Sequence, residues 1–234
     1  VLTPGSGSVS GSGTISLGSG SSISSSSGAT VENNISLANG DATFNQSGTA
    51  TYSGVISGSG NFIKAGLGTI TVSGANTYTG DTTLNAGTLT VSGTLSDSTD
   101  VIVNSGTTYD VNTNDTIQSL TGAGTIDIAS ARTLTAGGDN GNESITGNFT
   151  GAGNFTKQGS GTYTLLGGSN SISGIYTVSA GELVFKGSFS GSPHLTNNAT
   201  FSLDNDVTFA SVEGSGAFSI PDTLTLTTGD NGPN

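Results

Sequence analysis

The chain of 234 residues contains no Cys, no Met and no Trp, and charged residues make up only 9% of it. Without Cys there is neither a disulfide nor a thiolate metal ligand, so cysteine spacing gives no information on the redox compartment. Stability must come from backbone pairing and side-chain packing instead. The composition is unlike that of a typical cytosolic enzyme.

Basic residues are also scarce, with four Lys and Arg against 16 Asp and Glu and a formal net charge of −12. Neutralising a phosphate backbone takes clustered Lys and Arg, so we predict no nucleic-acid partner and no binding to an anionic membrane surface. No apolar run approaches about 18 residues, and no basic segment followed by an apolar one opens the chain. We therefore predict no membrane insertion of this segment and, if the protein is exported, a mature fragment.

Groups able to carry out catalysis are few. The one histidine, His194, follows a proline in GSPHLTNN and has no carboxylate at strand spacing, so we expect a surface turn rather than a general base. Asp204 and Asp206 would share one face of a strand, as the carboxylates of a glycoside hydrolase can, but a solvated pair is the common case. We predict no catalytic residue, no enzyme activity and no cofactor.

Calcium binding is a minor alternative at two acidic turns. Asp139 in GGDNGNES and Asp230 in TGDNG lie among Asn and Gly, whose carbonyl oxygens are ligands that calcium accepts. The nonapeptide array of calcium-binding β-helices is absent, and the same composition predicts an ordinary turn. The plain turn is the preferred interpretation, with weak calcium binding at Asp139 or Asp230 kept as the alternative.

What the chain has in abundance is glycine, 39 residues of it, arranged in an internal repeat. GNFIKAGLGTITVSG at 60–74 returns as GNFTKQGSGTYTLLG at 153–167, and NAGTLTV at 85–91 is echoed by SAGELVF at 179–185. The starts differ by 93 and 94 residues, which predicts a unit of roughly 92 residues that occurs nearly twice.

The repeat predicts the domain organisation. We expect one continuous domain over 1–234, made of a partial repeat at 1–53, repeat one at 54–146 and repeat two at 147–234. The segment GSGSSISSSSG at 18–28 fits either a flexible linker or a thin coil with little packing.

Within each unit the apolar residues alternate with Thr at a period of two. Ile70 and Val72 share one face, as do Leu183 and Phe185, which is the pattern of a strand with apolar residues inward. About four strand residues separate the turns, which suits one side of a coil in a parallel β-helix. At ~20–25 residues a coil, the chain would form about ten coils and a rod of roughly 50 Å. We predict an all-β fold, a right-handed parallel β-helix or β-solenoid.

The stretch GVISGSGNFIKAGLGTITVSGANTYTGDTTLNAGTLTVSG, at 54–93, resembles the passenger-associated transport repeat of bacterial autotransporter passengers. The likeness is dense there and partial over 147–187. It implies export through the outer membrane and a right-handed β-helical stalk. The residues that carry the repeat are Gly60, Asn61, Phe62, Lys64, Gly66, Gly68, Asn76, Tyr78, Gly80, Gly87, Leu89 and Val91 in the first copy, and Gly153, Asn154, Phe155, Lys157, Gly159, Gly161, Gly181 and Leu183 in the second.

Corners and polar ladders are the expected roles of these residues. Glycines such as Gly66 and Gly74 would let the chain turn tightly, since glycine adopts positive φ freely. Asn76 and its neighbours Thr77, Tyr78 and Thr79 would cap or stack on equivalent polar residues of the coils above and below, because Asn ladders support stacked β-structure.

The function predicted from the sequence is that of a non-enzymatic extracellular β-solenoid at a bacterial cell surface. It would serve as a passenger stalk, an adhesin or a component of a self-assembling fibre. Its partners would be further copies, joined through solenoid ends or faces, or a glycan or protein receptor of a host or matrix. The alternative is a carbohydrate-binding or carbohydrate-degrading β-helix such as a phage tailspike.

Overall fold

The computed structural model describes residues 8–25 and 27–229. These residues form short strands joined by turns and contain no helix, so none of them belongs to a helix that could cross a membrane. In chain order the strands are β1 (Ser8–Val9), β2 (Ile15–Leu17), β3 (Ser21–Ser24), β4 (Ala29–Val31), β5 (Ile35–Leu37), β6 (Asp41–Asn45), β7 (Thr49–Tyr52), β8 (Ile56–Gly58), β9 (Asn61–Ala65), β10 (Thr69–Val72), β11 (Thr82–Leu84), β12 (Thr88–Val91), β13 (Asp100–Val103), β14 (Thr108–Val111), β15 (Asp115–Thr116), β16 (Ser119–Gly122), β17 (Thr125–Ile128), β18 (Thr133–Ala136), β19 (Glu143–Ile145), β20 (Asn148–Gly151), β21 (Asn154–Lys157), β22 (Thr162–Leu165), β23 (Ile175–Val178), β24 (Glu182–Phe185), β25 (His194–Asn197), β26 (Thr200–Leu203), β27 (Val207–Phe209), β28 (Ser211–Glu213), β29 (Ala217–Ser219) and β30 (Leu226–Thr228).

The strands form the three faces of a parallel β-solenoid. Face 1 is an 11-stranded sheet that runs from β3 to β29, and its strands mark eleven coils. Face 2 is an 8-stranded sheet from β1 to β20, followed further along the chain by the pair β27 and β30. Face 3 consists of a 3-stranded sheet, β2 to β8, and then a 6-stranded sheet, β15 to β28. The predicted all-β parallel β-solenoid is confirmed.

One coil takes slightly fewer residues than the sequence suggested. Strand partners on adjacent coils are 17 residues apart where β14 pairs with β17 and 23 apart where β17 pairs with β20. The segment at 18–28 contains β3, which pairs in parallel with β6 over four residues.

The core is a narrow column of inward side chains, because alternate residues of each short strand are buried. In β10, Ile70 and Val72 are buried, while Thr69 and Thr71 are half-exposed. Aromatic rings also stack from coil to coil, as Phe44 does on Phe62 with ring centroids 4.1 Å apart. Burial of this apolar column supplies the main driving force for folding.

The unit of roughly 92 residues is not confirmed as a structural repeat. Phe62 lies on face 1 in β9, whereas its counterpart Phe155 lies on face 3 in β21. The second copy begins four full coils and two further faces after the first, because a shift of 93 residues does not equal a whole number of coils. The same residues therefore recur on a different side of the solenoid.

Candidate functional site

The described residues contain no cavity and no group of three or more His, Cys, Asp or Glu side chains that could hold a metal ion. The candidate site is therefore what the repeated residues themselves build: buried polar groups that join one coil to the next. A lysine at a corner and an asparagine inside the coil are the central members in each copy.

Lys64 closes a corner from inside the solenoid. It lies in β9 with no exposed surface, and its ammonium donates hydrogen bonds to the carbonyls of Ala65 at 3.0 Å, Gly66 at 2.7 Å and Ala86 at 2.9 Å. Ala86 belongs to the next coil, so the lysine links two corners. Burial disfavours the charged form and lowers the pKa of Lys64 to about 8.

Lys157 repeats this arrangement on face 3. Its ammonium donates to the carbonyls of Gln158 at 2.7 Å, Gly159 at 2.8 Å and Ala180 at 3.3 Å. Burial lowers the pKa of Lys157 as well, and the negative charge of Asp139 partly opposes that shift. The corner is thus a property of the local sequence and not of one particular face.

Two glycines allow the corner carbonyls to turn toward the lysine. Gly66 has a φ of 74° and Gly159 also has a φ of 74°, in the left-handed region that other residues rarely adopt. In the next coil Gly87 and Gly181 take the same conformation, with φ of 71° and 66°. Positive φ therefore matters at these stacked positions.

The prediction of positive φ is wrong for a second group of repeat glycines, Gly74 among them, which are required for close approach instead. None of them has a positive φ, but a Cβ on any of them would overlap a backbone carbonyl oxygen of the preceding coil or turn. For Gly68 the nearest such oxygen belongs to Gly48, and for Gly161 it belongs to Gly141. The group comprises Gly60, Gly68, Gly74, Gly80, Gly153 and Gly161.

Asn76 lies inside the solenoid where the regular pairing of face 3 is interrupted between β8 and β15. Its Oδ1 accepts the N–H of Ile56 in the preceding coil at 2.9 Å. Its Nδ2 donates to the carbonyls of Gly74 at 3.1 Å and Thr94, in the next coil, at 2.9 Å. The side chain thus connects three coils at a place where the chain forms no regular strand.

Asn170 has the corresponding position on face 2, in the interruption between β20 and β27, but its side chain connects only two coils. Its Oδ1 accepts the N–H of Phe149 at 2.9 Å and its Nδ2 donates to the carbonyl of Gly167 at 3.1 Å. The two asparagines occupy equivalent places in the repeat, and in both copies a regular strand is replaced by this crossing.

The buried tyrosines differ between the copies. The Tyr78 hydroxyl lies 2.5 Å from Thr82 Oγ1, which lies 3.0 Å from Thr99 Oγ1. In the second copy Ile172 stands in the place of Tyr78, and Tyr176 stands in the place of Thr82. The buried hydroxyl of Tyr176 has no hydrogen-bond partner among the described residues.

The remaining repeat residues lie in the core or between coils. Asn61 accepts the N–H of Asp81 at 2.9 Å, and Asn154 accepts the N–H of Ile175 at 2.9 Å, so both side chains bridge successive coils. The inward, buried members are Phe62, Leu89, Val91, Phe155 and Leu183.

The comparisons with known proteins agree with this geometry. The family model of the passenger-associated transport repeat matches the chain twice, over residues 62–91 and 155–185. The chain carries two passenger-associated transport repeats. Each match includes one corner lysine and one inward asparagine, and together with the parallel β-solenoid the repeats support an autotransporter passenger-type structural domain. Neither a curated protein nor a solved structure matches the chain at a significant level.

The three residues considered for catalysis, His194, Asp204 and Asp206, lie outside the two transport repeats. His194 is exposed as expected, but it lies in β25 and not in the predicted turn, and its Nδ1 lies 2.6 Å from Ser211 Oγ. Asp204 and Asp206 lie in a corner after β26, where Asp204 pairs with Lys186 at 3.1 Å and Asp206 accepts the N–H of Thr225. The prediction that these two carboxylates share a strand face is wrong, because the chain turns at Leu203.

Of the two acidic turns considered for calcium binding, the structure describes only the one that contains Asp139. Asp139 lies in a turn near Glu143, and burial together with the charges of Asp139 and Asp100 raises the pKa of Glu143. Asp230 lies outside the described residues.

Sequence reasoning missed Asp115, a buried acid between the two transport repeats. Its Oδ1 accepts the N–H of Leu95 at 3.1 Å, and the Tyr109 hydroxyl donates to its Oδ2 at 3.3 Å. Burial raises the pKa of Asp115 to about 7. Leu95 lies one coil beyond Asn76, and Asp115 lies one coil further. The carboxylate of Asp115 therefore accepts an N–H of the preceding coil, as the side-chain oxygen of Asn76 does. The sequence NTNDT predicts a turn, so the buried position of Asp115 could be found only from the register between coils.

Proposed function

We propose that this passenger-type domain acts as a rigid, non-catalytic stalk at the bacterial cell surface. The observation that carries the proposal is the continuity of the parallel sheets, since face 1 extends through eleven strands. A rod built in this way is held by hydrogen bonds along its whole length, and each coil needs only its neighbours for support. The transport repeats support a secreted, cell-surface location.

The corner lysines and inward asparagines support the same role. The lysines link the corners of adjacent coils, and the asparagines lie where a regular strand is interrupted. Both kinds of side chain bond to backbone groups. The donors and acceptors of these side chains therefore form hydrogen bonds within the solenoid itself. They stiffen the rod and leave its outer faces free for contacts with other molecules.

Two measurements test this proposal. Small-angle X-ray scattering of the purified chain should give the pair-distance distribution of a rod, and antibody labelling of intact cells of the source bacterium should detect the domain outside the outer membrane. A compact or flexible particle would contradict the stalk, and labelling only after permeabilisation would contradict the location.

Self-association and receptor binding stay predictions. Electron micrographs over a concentration series distinguish separate rods from filaments formed through solenoid ends or faces. An array of glycans and matrix proteins tests the receptor hypothesis. Hydrolysis of a panel of polysaccharides would instead favour the carbohydrate-degrading β-helix.

A further inference from the structure

Face 2 carries two adjacent outward columns of threonine, here called the threonine face. Each column follows the pairing of successive coils, so that every threonine has another as its register partner. The first column consists of Thr49, Thr69, Thr88, Thr108 and Thr125, and the second of Thr30, Thr51, Thr71 and Thr90.

The hydroxyls of this face are available to an external ligand. Of the nine threonines, Thr90 alone donates its hydroxyl to a protein group within the described residues, Asp110 Oδ2 at 2.8 Å. The second column becomes acidic there, with Asp110 followed by Asp127. In the coils that precede Asp110 along the chain, the paired columns therefore present uncharged hydroxyl and methyl groups.

The spacing of these groups is fixed by the backbone. Adjacent coils lie ~4.8 Å apart and residues i and i+2 of a strand lie ~6.6–6.8 Å apart, so the hydroxyls form a two-dimensional lattice. Inward residues such as Ile70 and Leu89 are fully buried and hold each strand in register. Threonine is also restricted in χ1, which keeps the lattice regular.

Along each column, the distance between threonines of adjacent coils is close to an oxygen–oxygen distance of crystalline water. Hydroxyl hydrogen bonds have oxygen separations of ~2.7–2.8 Å, so two oxygens bonded to one tetrahedral water lie ~4.5 Å apart. This separation is near the distance between coils, and the methyl groups favour ordered water between the columns. A regular row of threonines can thus continue the water network of an ice surface.

A carbohydrate ligand fits the same face less well. Sites for small ligands, such as a soluble sugar, are concave and combine apolar and aromatic surfaces with a few convergent polar groups. The tyrosine of β7, Tyr52, and that of β14, Tyr109, point inward and are buried, and the described residues form no pocket. We propose that the threonine face binds ice. This proposal goes beyond the stalk function and does not depend on it.

Face 3 offers an internal control. It has one outward column, Thr116, Thr135, Thr156, Thr177 and Thr196, but the neighbouring column is Thr133, Asn154, Ile175 and His194. A single threonine row beside mixed residues lacks the two-dimensional lattice. Face 3 therefore should not bind ice.

The experiment measures partition of the purified chain into slowly grown ice and the concentration that inhibits ice recrystallisation. The unmodified chain should enter the ice, whereas ordinary solutes are excluded. Thr88→Tyr places a bulky ring in the centre of the threonine face and should raise the inhibitory concentration about tenfold or more. The matched Thr135→Tyr on face 3 should leave it unchanged. Both tyrosines suit a half-exposed strand position, so both variants should fold, which circular dichroism checks.

Three results would overturn the proposal. The first is exclusion of the unmodified, folded chain from ice. The second is an equal loss of activity in Thr88→Tyr and Thr135→Tyr. The third is binding to crystalline cellulose or chitin with no partition into ice, which would assign the face to a polysaccharide instead.

Discussion

The two transport repeats are built alike but lie on different sides of the solenoid. Both bury a lysine against three corner carbonyls, and both replace a strand with an inward asparagine. Yet Lys64 lies on face 1 and Lys157 on face 3. The motif therefore specifies a local corner and the contact to the adjacent coil, because its hydrogen bonds reach no further.

The corner lysines give the largest expected effect. Lys64→Met keeps the apolar stem but leaves the carbonyls of Ala65, Gly66 and Ala86 without their charged donor, which should lower the free energy of unfolding by about 3 kcal/mol. Lys157→Met should cost slightly less, because its third contact is longer, 3.3 Å against 2.9 Å. Chemical denaturation of each variant measures the two losses.

The control for both variants is Lys186→Met. Lys186 forms an exposed ion pair with Asp204, so its loss should change stability by about 0–1 kcal/mol. A loss at Lys64 no larger than that at Lys186 would show that the corner does not depend on the ammonium.

Substitution of the inward asparagines, Asn76 and Asn170, should give the next largest loss of stability. Asn76→Ala removes the acceptor of the Ile56 N–H and the donor to Gly74 and Thr94, with an expected cost of about 2 kcal/mol. Asn170→Ala removes one donor contact fewer and should cost less. Hydrogen exchange should show the amide of Ile56 exposed in the first variant; unchanged protection there would argue against the crossing.

Asp115 makes the same kind of contact with the preceding coil as the two asparagines, but with a carboxylate in place of the amide. Its pKa is raised to about 7 from an ordinary value near 4, so between these pH values the folded chain holds a proton that the unfolded chain releases. Stability should therefore fall by about 2 kcal/mol as the pH rises from 5 to 7, and ionised Asp115 stays unfavourable above that range.

Asp115→Asn isolates this contribution. Asp81 and Glu143 also have raised pKa values, because of burial and neighbouring carboxylates, so some pH dependence should remain. Thermal unfolding at pH 5 and pH 8 should show a smaller difference in the variant than in the original chain. An equal difference would assign the pH dependence to other groups.

The buried tyrosines give the smallest effect and the clearest contrast. Tyr78→Phe removes a hydroxyl bonded to Thr82 and should cost about 1 kcal/mol. Tyr176→Phe removes a buried hydroxyl that has no partner among the described residues, so stability should stay the same or increase. Thermal unfolding of the pair measures both, and a larger loss at Tyr176 would contradict the assignment.

Much of the architecture can be predicted from particular residues of the sequence. Ile70 and Val72 alternate with Thr69 and Thr71, and a pleated backbone sends such residues to opposite faces. The positive φ of Gly66 also follows from its place in the corner. Both features depend on residues close together in the chain.

Other features escape this kind of reasoning. Asp204 and Asp206 have strand spacing, but the structure places a corner there, since Leu203 ends β26. The carbonyl of Ala86 that Lys64 binds lies 22 residues away, and no local pattern indicates that contact.

The strand alternation, the tight turn at Gly66 and the β-solenoid class follow from residues close together in the chain. The face that each copy occupies, the need for close approach at some repeat glycines and the burial of Asp115 depend on contacts between coils. The physical reason is the length of the coil. Its variation from 17 to 23 residues accumulates along the stack and sets which side chains meet between coils.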